Sequence, residues 1–155
     1  MTIARLFFAA SLLAGTAGPA LAQDVSASPS YGTVNLNTGF PDDPRNVDIQ
    51  AGGTLDATRV PAGDCHGFIA GPPDLRVNFR AGSLPLTFFV ASDVDTTLVI
   101  SGPDGHWSCN DDSNGLNPRI RFDHPVSGQY DVWVGTMDNG NLHNARLSVS
   151  ERGGG

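Results

Sequence analysis

The chain has 155 residues and a formal net charge of −7 at pH 7. All of its bases are arginine; its acids are aspartate, with Glu151 the one exception. Such a surface repels phosphate, which argues against nucleic acid as a partner, and the length is that of one ordinary domain with a core of its own.

Residues 1–22 have the three-part grammar of a secretory signal. Arg5 supplies the positive charge, an apolar run extends from Leu6 to Ala14, and Ala20-Leu21-Ala22 precedes Gln23. The apolar run is too short to span a bilayer, and Gly15, Gly18 and Pro19 interrupt it. The residue after the expected cleavage point is Gln23 and not a cysteine, so no lipid anchor is expected. The expected product is a periplasmic or secreted protein without a stable membrane anchor. Removing Arg5 leaves eight arginines against sixteen acids, a charge of about −8 with neutral histidines.

Residues 23–30 are small and polar and read as a flexible lead-in, and 151–155, ending in three glycines, as a flexible tail. Between them, 31–150 alternates short apolar runs with clusters of Gly, Pro, Asn and Asp, and no stretch sustains a helical period. Val47–Ile49 and Leu55–Val60 flank an Ala51-Gly52-Gly53 turn, and His66–Ala70 precedes the turn Gly71-Pro72-Pro73-Asp74. Leu75–Arg80 alternates strictly, so one face is core and the other wet. Leu84–Ala91 and Thr96–Ile100 are more continuously apolar and suit central strands, whereas Arg119–Phe122 alternates like an outer one. Tyr130, Val132 and Val134 share a face that leaves Asp131 and Trp133 on the other, with Trp133 expected in a core. Ala145–Val149 closes the sheet. Seven to nine short strands in one domain predict an all-β fold, a sandwich of two antiparallel sheets.

Cys65 and Cys109 are the only cysteines. In an oxidising compartment they are expected to form a disulfide, closing a loop worth about 3 to 4 kcal/mol in the chain-entropy model.

The densest polar constellation comprises Ser92–Thr96, Gly102–Gly105 and Cys109–Pro118. Three loops of a sandwich can meet at one end, and their carboxylates and amides suit a hard cation such as Ca²⁺. Asp93, Asp95, Asp104, Asn110, Asp111 and Asp112 are the candidate ligands, although the spacing is not that of an EF-hand and aspartate-rich turns also serve simply to reverse a chain. Asp112-Ser113-Asn114-Gly115 superficially resembles the nucleophile region of chymotrypsin-like peptidases. The chain is too short for their two barrels and lacks the Gly-x-Ser-x-Gly elbow, so catalysis by Ser113 is a minor reading. His66, His106, His124 and His143 lack zinc-site spacing. Trp107 is a candidate stacking contact for a ligand such as a sugar ring.

Two stretches, Thr97–Gly105 with the following Asp111-Asp112, and Ser127–Gly135, resemble the bacterial pre-peptidase C-terminal domain. Its pattern is a strand, a Pro-Asp-Gly turn, an acidic loop and a Gly-x-Tyr strand. More closely, residues 31–150 resemble small exported proteins of alphaproteobacterial type, sometimes labelled peptidases. The motifs carrying that likeness are Tyr31–Leu36, Cys65–Ala70, Trp107–Asp112, Gly115–Pro118 and Tyr130–Gly135. The resemblance implies a jelly-roll-like β-sandwich and a non-catalytic accessory role, with calcium bound in some members. The expected function is a non-enzymatic binding or accessory module with an envelope or extracellular partner and Ca²⁺ as its candidate stabilising ion. The alternatives are an envelope glycan- or protein-interaction domain using Trp107 and a serine hydrolase centred on Ser113.

Overall fold

The computed structural model describes residues 23–113 and 115–153. The expected signal peptide, Asn114 and the last two glycines lie outside the described residues. Eleven strands make the fold: β1 (Thr33–Asn37), β2 (Arg45–Ala51), β3 (Leu55–Asp56), β4 (Phe68–Ile69), β5 (Leu75–Arg80), β6 (Leu86–Ser92), β7 (Thr96–Ser101), β8 (Trp107–Asn110), β9 (Arg119–Phe122), β10 (Gly128–Thr136) and β11 (His143–Ser150). One sheet has the order β1-β5-β10-β7-β8, with β4 and β3 continuing past β5 along β10. The other is β2-β11-β6-β9.

The expected sandwich is present, with one departure: β1 runs parallel to β5 while every other pair is antiparallel. Ala145–Val149 also departs from expectation. It forms the middle of β11, which lies between β2 and β6 and does not close the sheet.

The core between the sheets follows from alternation. Leu75, Val77 and Phe79 of β5 point inward with Tyr130, Val132 and Val134 of β10, and meet Leu86, Phe88, Val90, Leu147 and Val149 from the opposite sheet. Phe88, Phe122 and Tyr130 form an aromatic knot in which Phe88 lies edge-on to Phe122 at 6.1 Å. The Tyr130 hydroxyl donates to the Val126 carbonyl at 2.7 Å, fixing the turn into β10.

A second, smaller core lies on the outside of the first sheet. Residues 53–71, whose β3 and β4 extend the first sheet along β10, fold back over β7, β8 and β10, burying Ala57, Val60, Cys65 and Ile69 against Val99 and Trp133. This layer explains why Leu98–Ile100 of β7 is an unbroken apolar run: Leu98 and Ile100 face the sandwich core while Val99 faces the outer one. Chain approach is very close here. A Cβ on Gly135 would stand 2.4 Å from the Phe68 carbonyl oxygen, so only glycine fits. The run Leu55–Val60, expected to be a strand, ends at Asp56 because that carboxylate accepts the Thr58 amide at 2.9 Å and caps a 3-10 turn over Ala57–Arg59.

Both ends of the described chain are hydrogen-bonded to the sandwich. Within 23–30, the Asp24 and Ser30 amides donate to the Gly71 and Pro73 carbonyls. Arg76 donates to the Val25 and Ala27 carbonyls while its Nε holds Asp131 at 2.7 Å. At the other end, buried Glu151 accepts hydrogen bonds from the Thr38 hydroxyl and the Gly39 amide, anchoring the β1–β2 loop. Polar anchoring of this kind leaves no apolar periodicity in a sequence.

Candidate functional site

β7 and β8 form a hairpin, and its geometry decides which acidic residues meet. Asp95 precedes β7 and Asp111 follows β8, so both stand at the open end of the hairpin. Asp104 lies in the turn that joins the two strands, at the opposite end and about 20 Å away by strand length. The expected convergence of three loops is therefore two loops, and Asp104 is outside the site. It caps its own turn, accepting the His106 amide at 3.1 Å and standing 3.0 Å from His106 Nδ1.

The two remaining loops are fastened to each other. The Ser92 amide donates to Asn117 Oδ1 at 2.9 Å, and the Thr96 amide to the Leu116 carbonyl at 3.1 Å. Asn110 Oδ1 accepts both the Arg119 amide at 2.9 Å and the Ser113 hydroxyl at 2.8 Å. Asn110 thus fastens the loop with the oxygen expected to bind a cation. Ser113 is likewise a loop fastener. Its hydroxyl proton goes to Asn110, and its amide donates to the Asn117 carbonyl at 3.3 Å. Asp93 is exposed and lines a shallow groove with Asn117, Asn144 and Arg146, on the side of the second sheet.

Cys65 and Cys109 are joined, with their Cα atoms 5.5 Å apart. The disulfide pins the outer layer to β8 beside the acidic loop, and the adjoining residues extend the junction: His66 Nδ1 stands 3.3 Å from Asp111 Oδ2. Zinc-site spacing, which His66 lacks, does not point to this contact. The signal was its place next to Cys65, because pairing Cys65 with Cys109 necessarily brings their neighbours together.

Asp95, Asp111 and Asp112 are the candidates the fold brings together electrostatically. Burial first, then the charges of Asp112 and Asp111, hold the Asp95 carboxyl above its ordinary pKa. Its Oδ1 is buried with no hydrogen-bond partner. As placed, no three His, Cys, Asp or Glu side chains among the described residues stand close enough to hold a metal ion. The donor chemistry at Asp95 fits a hard cation; a ready cage is not formed.

Trp107 is not a free-standing platform. Its ring stacks on Trp133 at 5.2 Å and 28°, roofing the outer core. Trp133 is fully buried, as expected, and its Nε1 donates to the Gly71 carbonyl at 3.3 Å.

One further carboxyl stands out. Asp74, where the outer layer rejoins β5, is buried and accepts the Val134 amide at 2.7 Å. Burial raises its pKa to about 7, against the smaller lowering effect of that hydrogen bond.

No protein-family profile matches the chain, and no curated protein does. Among solved structures, it is similar to the pre-peptidase C-terminal domain of a Bacillus anthracis collagenase, with 15% identity and a TM-score of 0.47 over 83% of this chain and 99% of that one. It is also similar to Aeromonas hydrophila PliG, a periplasmic inhibitor of g-type lysozyme, with 13% identity and a TM-score of 0.40 over 80% and 98% of the two chains. A third is CorA, a surface-associated copper-binding protein of Methylomicrobium album BG8, with 10% identity and a TM-score of 0.41 over 77% and 100%. The order of strand, Pro-Asp-Gly turn, acidic loop and Gly-x-Tyr strand is found here as β7, residues 102–105, residues 111–118 and β10.

Proposed function

We propose that the protein is a non-enzymatic exported binding module whose disulfide-pinned end takes up a hard cation such as Ca²⁺. The observation that carries the cation reading is Asp95: a carboxylate with an unpartnered buried oxygen, facing the like charges of Asp111 and Asp112. A divalent ion relieves that repulsion and supplies the missing partner. Because the three carboxylates are not gathered into a cage, binding draws Asp111 and Asp112 toward Asp95, and waters and backbone carbonyls complete the shell. The disulfide supports the exported half of the reading, since such bonds persist in oxidising compartments. The engagement of Ser113 with Asn110 supports a structural role for that serine.

A ligand that prefers the folded state raises its stability. Thermal melts of the mature, disulfide-bonded protein in EDTA and across a calcium titration, with magnesium as control, are expected to show a concentration-dependent rise of a few degrees. Asp95→Asn or Asp111→Ala is expected to abolish it. An unchanged melt, with no calcium retained after dialysis, overturns the cation reading. Labelling of Ser113 by a fluorophosphonate probe overturns the non-enzymatic one.

A further inference from the structure

Edge strands expose unpaired backbone groups, and proteins blunt them with charge, proline, bulges or cover. Most edges of this sandwich carry such a device. β9 presents Arg119 and Arg121, and β3 is two residues long. β2 carries Arg45 and Asp48, and its Gln50 amide is taken by the Tyr31 hydroxyl at 2.7 Å. β8 is short, and the Asn110 side chain ties its end to the start of β9.

β1 is the exception. Thr33–Asn37 has no charged residue, no proline and an unbroken register with β5. Its unpaired groups can be assigned. The Arg76 amide donates to the Gly32 carbonyl and the Thr38 amide to the Arg80 carbonyl, so residues 32 and 38 turn their backbone groups toward β5. In a parallel pair successive residues face opposite neighbours, which leaves the N–H and C=O of Thr33, Asn35 and Asn37 on the free side.

That free side is also a groove. The whole of β1 lines an open cleft of about 580 Å³ with Thr38–Asp42 and Arg45. Val34 and Leu36, only half-buried against the sandwich core, contribute its apolar surface beside Phe40.

We propose that β1 is a docking edge for an extended segment of a partner polypeptide, which adds to the sheet as a further strand. Main-chain bonds to Thr33, Asn35 and Asn37 hold the segment, and apolar side chains at every second position cover the half-buried Val34 and Leu36. The only charged side chains in the groove, Asp42 and Arg45, stand beyond the strand, so the segment is uncharged opposite β1. Basic flanks suit a protein with sixteen acids and nine bases. A rigid second copy is the poorer occupant: a five-residue edge is about 17 Å long and buries roughly 300 Å² per copy, well below a stable interface. This inference rests on the reading of the protein as a binding module and is independent of the cation, so the test is run in EDTA.

The probe is the blocked peptide acetyl-Lys-Thr-Val-Ser-Leu-Thr-Val-Lys-amide, titrated to millimolar concentration into ¹⁵N-labelled mature protein while amide exchange is followed by NMR. Exchange at Thr33, Asn35 and Asn37 is expected to slow by about tenfold or more, with no change at Val34 and Leu36, which already face β5. Asn35→Pro, which removes an outward N–H together with the bond that Asn78 Nδ2 donates to the Asn35 side chain, is expected to abolish this. Methylating the peptide amides that face β1 abolishes it without touching the protein's fold. An isomeric peptide with its apolar residues contiguous is expected not to protect. Absent or different protection, or equal protection by the isomer or the methylated peptide, overturns the proposal. A protein dimer that Asn35→Pro dissociates reassigns the edge to a second copy and overturns it as well.

Discussion

The two cores of this molecule are built by different means. The core between the sheets is made of alternating apolar residues on paired strands, and each strand is held by its neighbours through a continuous ladder. The outer core is made by an irregular excursion, residues 53–71, that has only two-residue strands of its own. It depends on the Cys65–Cys109 bond and on the paired tryptophans. Ladder and burial hold the first; the second is expected to rely on its covalent staple, because a short layer buries little to offset the ordering of its own chain. The acidic end sits where the staple joins the two.

The difference is broken most severely from the inside. Phe88→Ala empties a fully buried site in the sandwich core and is expected to cost about 3–5 kcal/mol. Denaturant melts followed by circular dichroism and by tryptophan fluorescence are expected to shift together. Ile69→Ala removes an equally buried side chain from the outer core, where the layer can collapse around the gap. It is expected to cost about 2 kcal/mol, with the fluorescence transition moving further than the dichroism. Coincident shifts would mean the two cores are one cooperative unit.

Asp74 sharpens the comparison at the junction. Its pKa is about 7 in the folded protein against an ordinary 3.8, so between these values the native state binds the extra proton. Its contribution to stability is therefore present below about pH 4 and is lost as pH rises through about 7. Asp74→Asn keeps an acceptor for the Val134 amide and removes the titration. Urea melts from pH 4 to 8 are expected to show a decline for the parent protein, of order 2–4 kcal/mol, that the variant lacks. Parallel profiles would contradict this account of the buried carboxyl.

Much of the inner core was legible in the sequence, because period-2 alternation is its physical cause. Leu75–Arg80 and the opposed faces of Tyr130 and Trp133 are the clearest instances. The outer layer was legible only indirectly. Leu98–Ile100 reads as an unbroken apolar run because two cores claim its two faces, but nothing local says what covers Val99. β8 was hidden because Trp107-Ser-Cys-Asn110 owes its strand to the pairing with β7 and the disulfide, not to alternation. The acidic loops were legible as composition and not as geometry. Whether Asp104 joins Asp95 depends on whether β7 and β8 form a hairpin, a tertiary fact.

The most direct measurement uses the placement of Trp107 and Trp133, which both belong to the outer core. The disulfide spans 44 residues, and its loss is worth about 4 kcal/mol in the chain-entropy model. Reduced and oxidised protein would be unfolded in urea, with tryptophan emission and far-ultraviolet dichroism recorded on the same samples. On reduction, the emission is expected to shift red at a lower urea concentration than the loss of β-sheet signal, exposing a sandwich that outlives its outer layer. Coincident transitions in the reduced protein would contradict the two-core account.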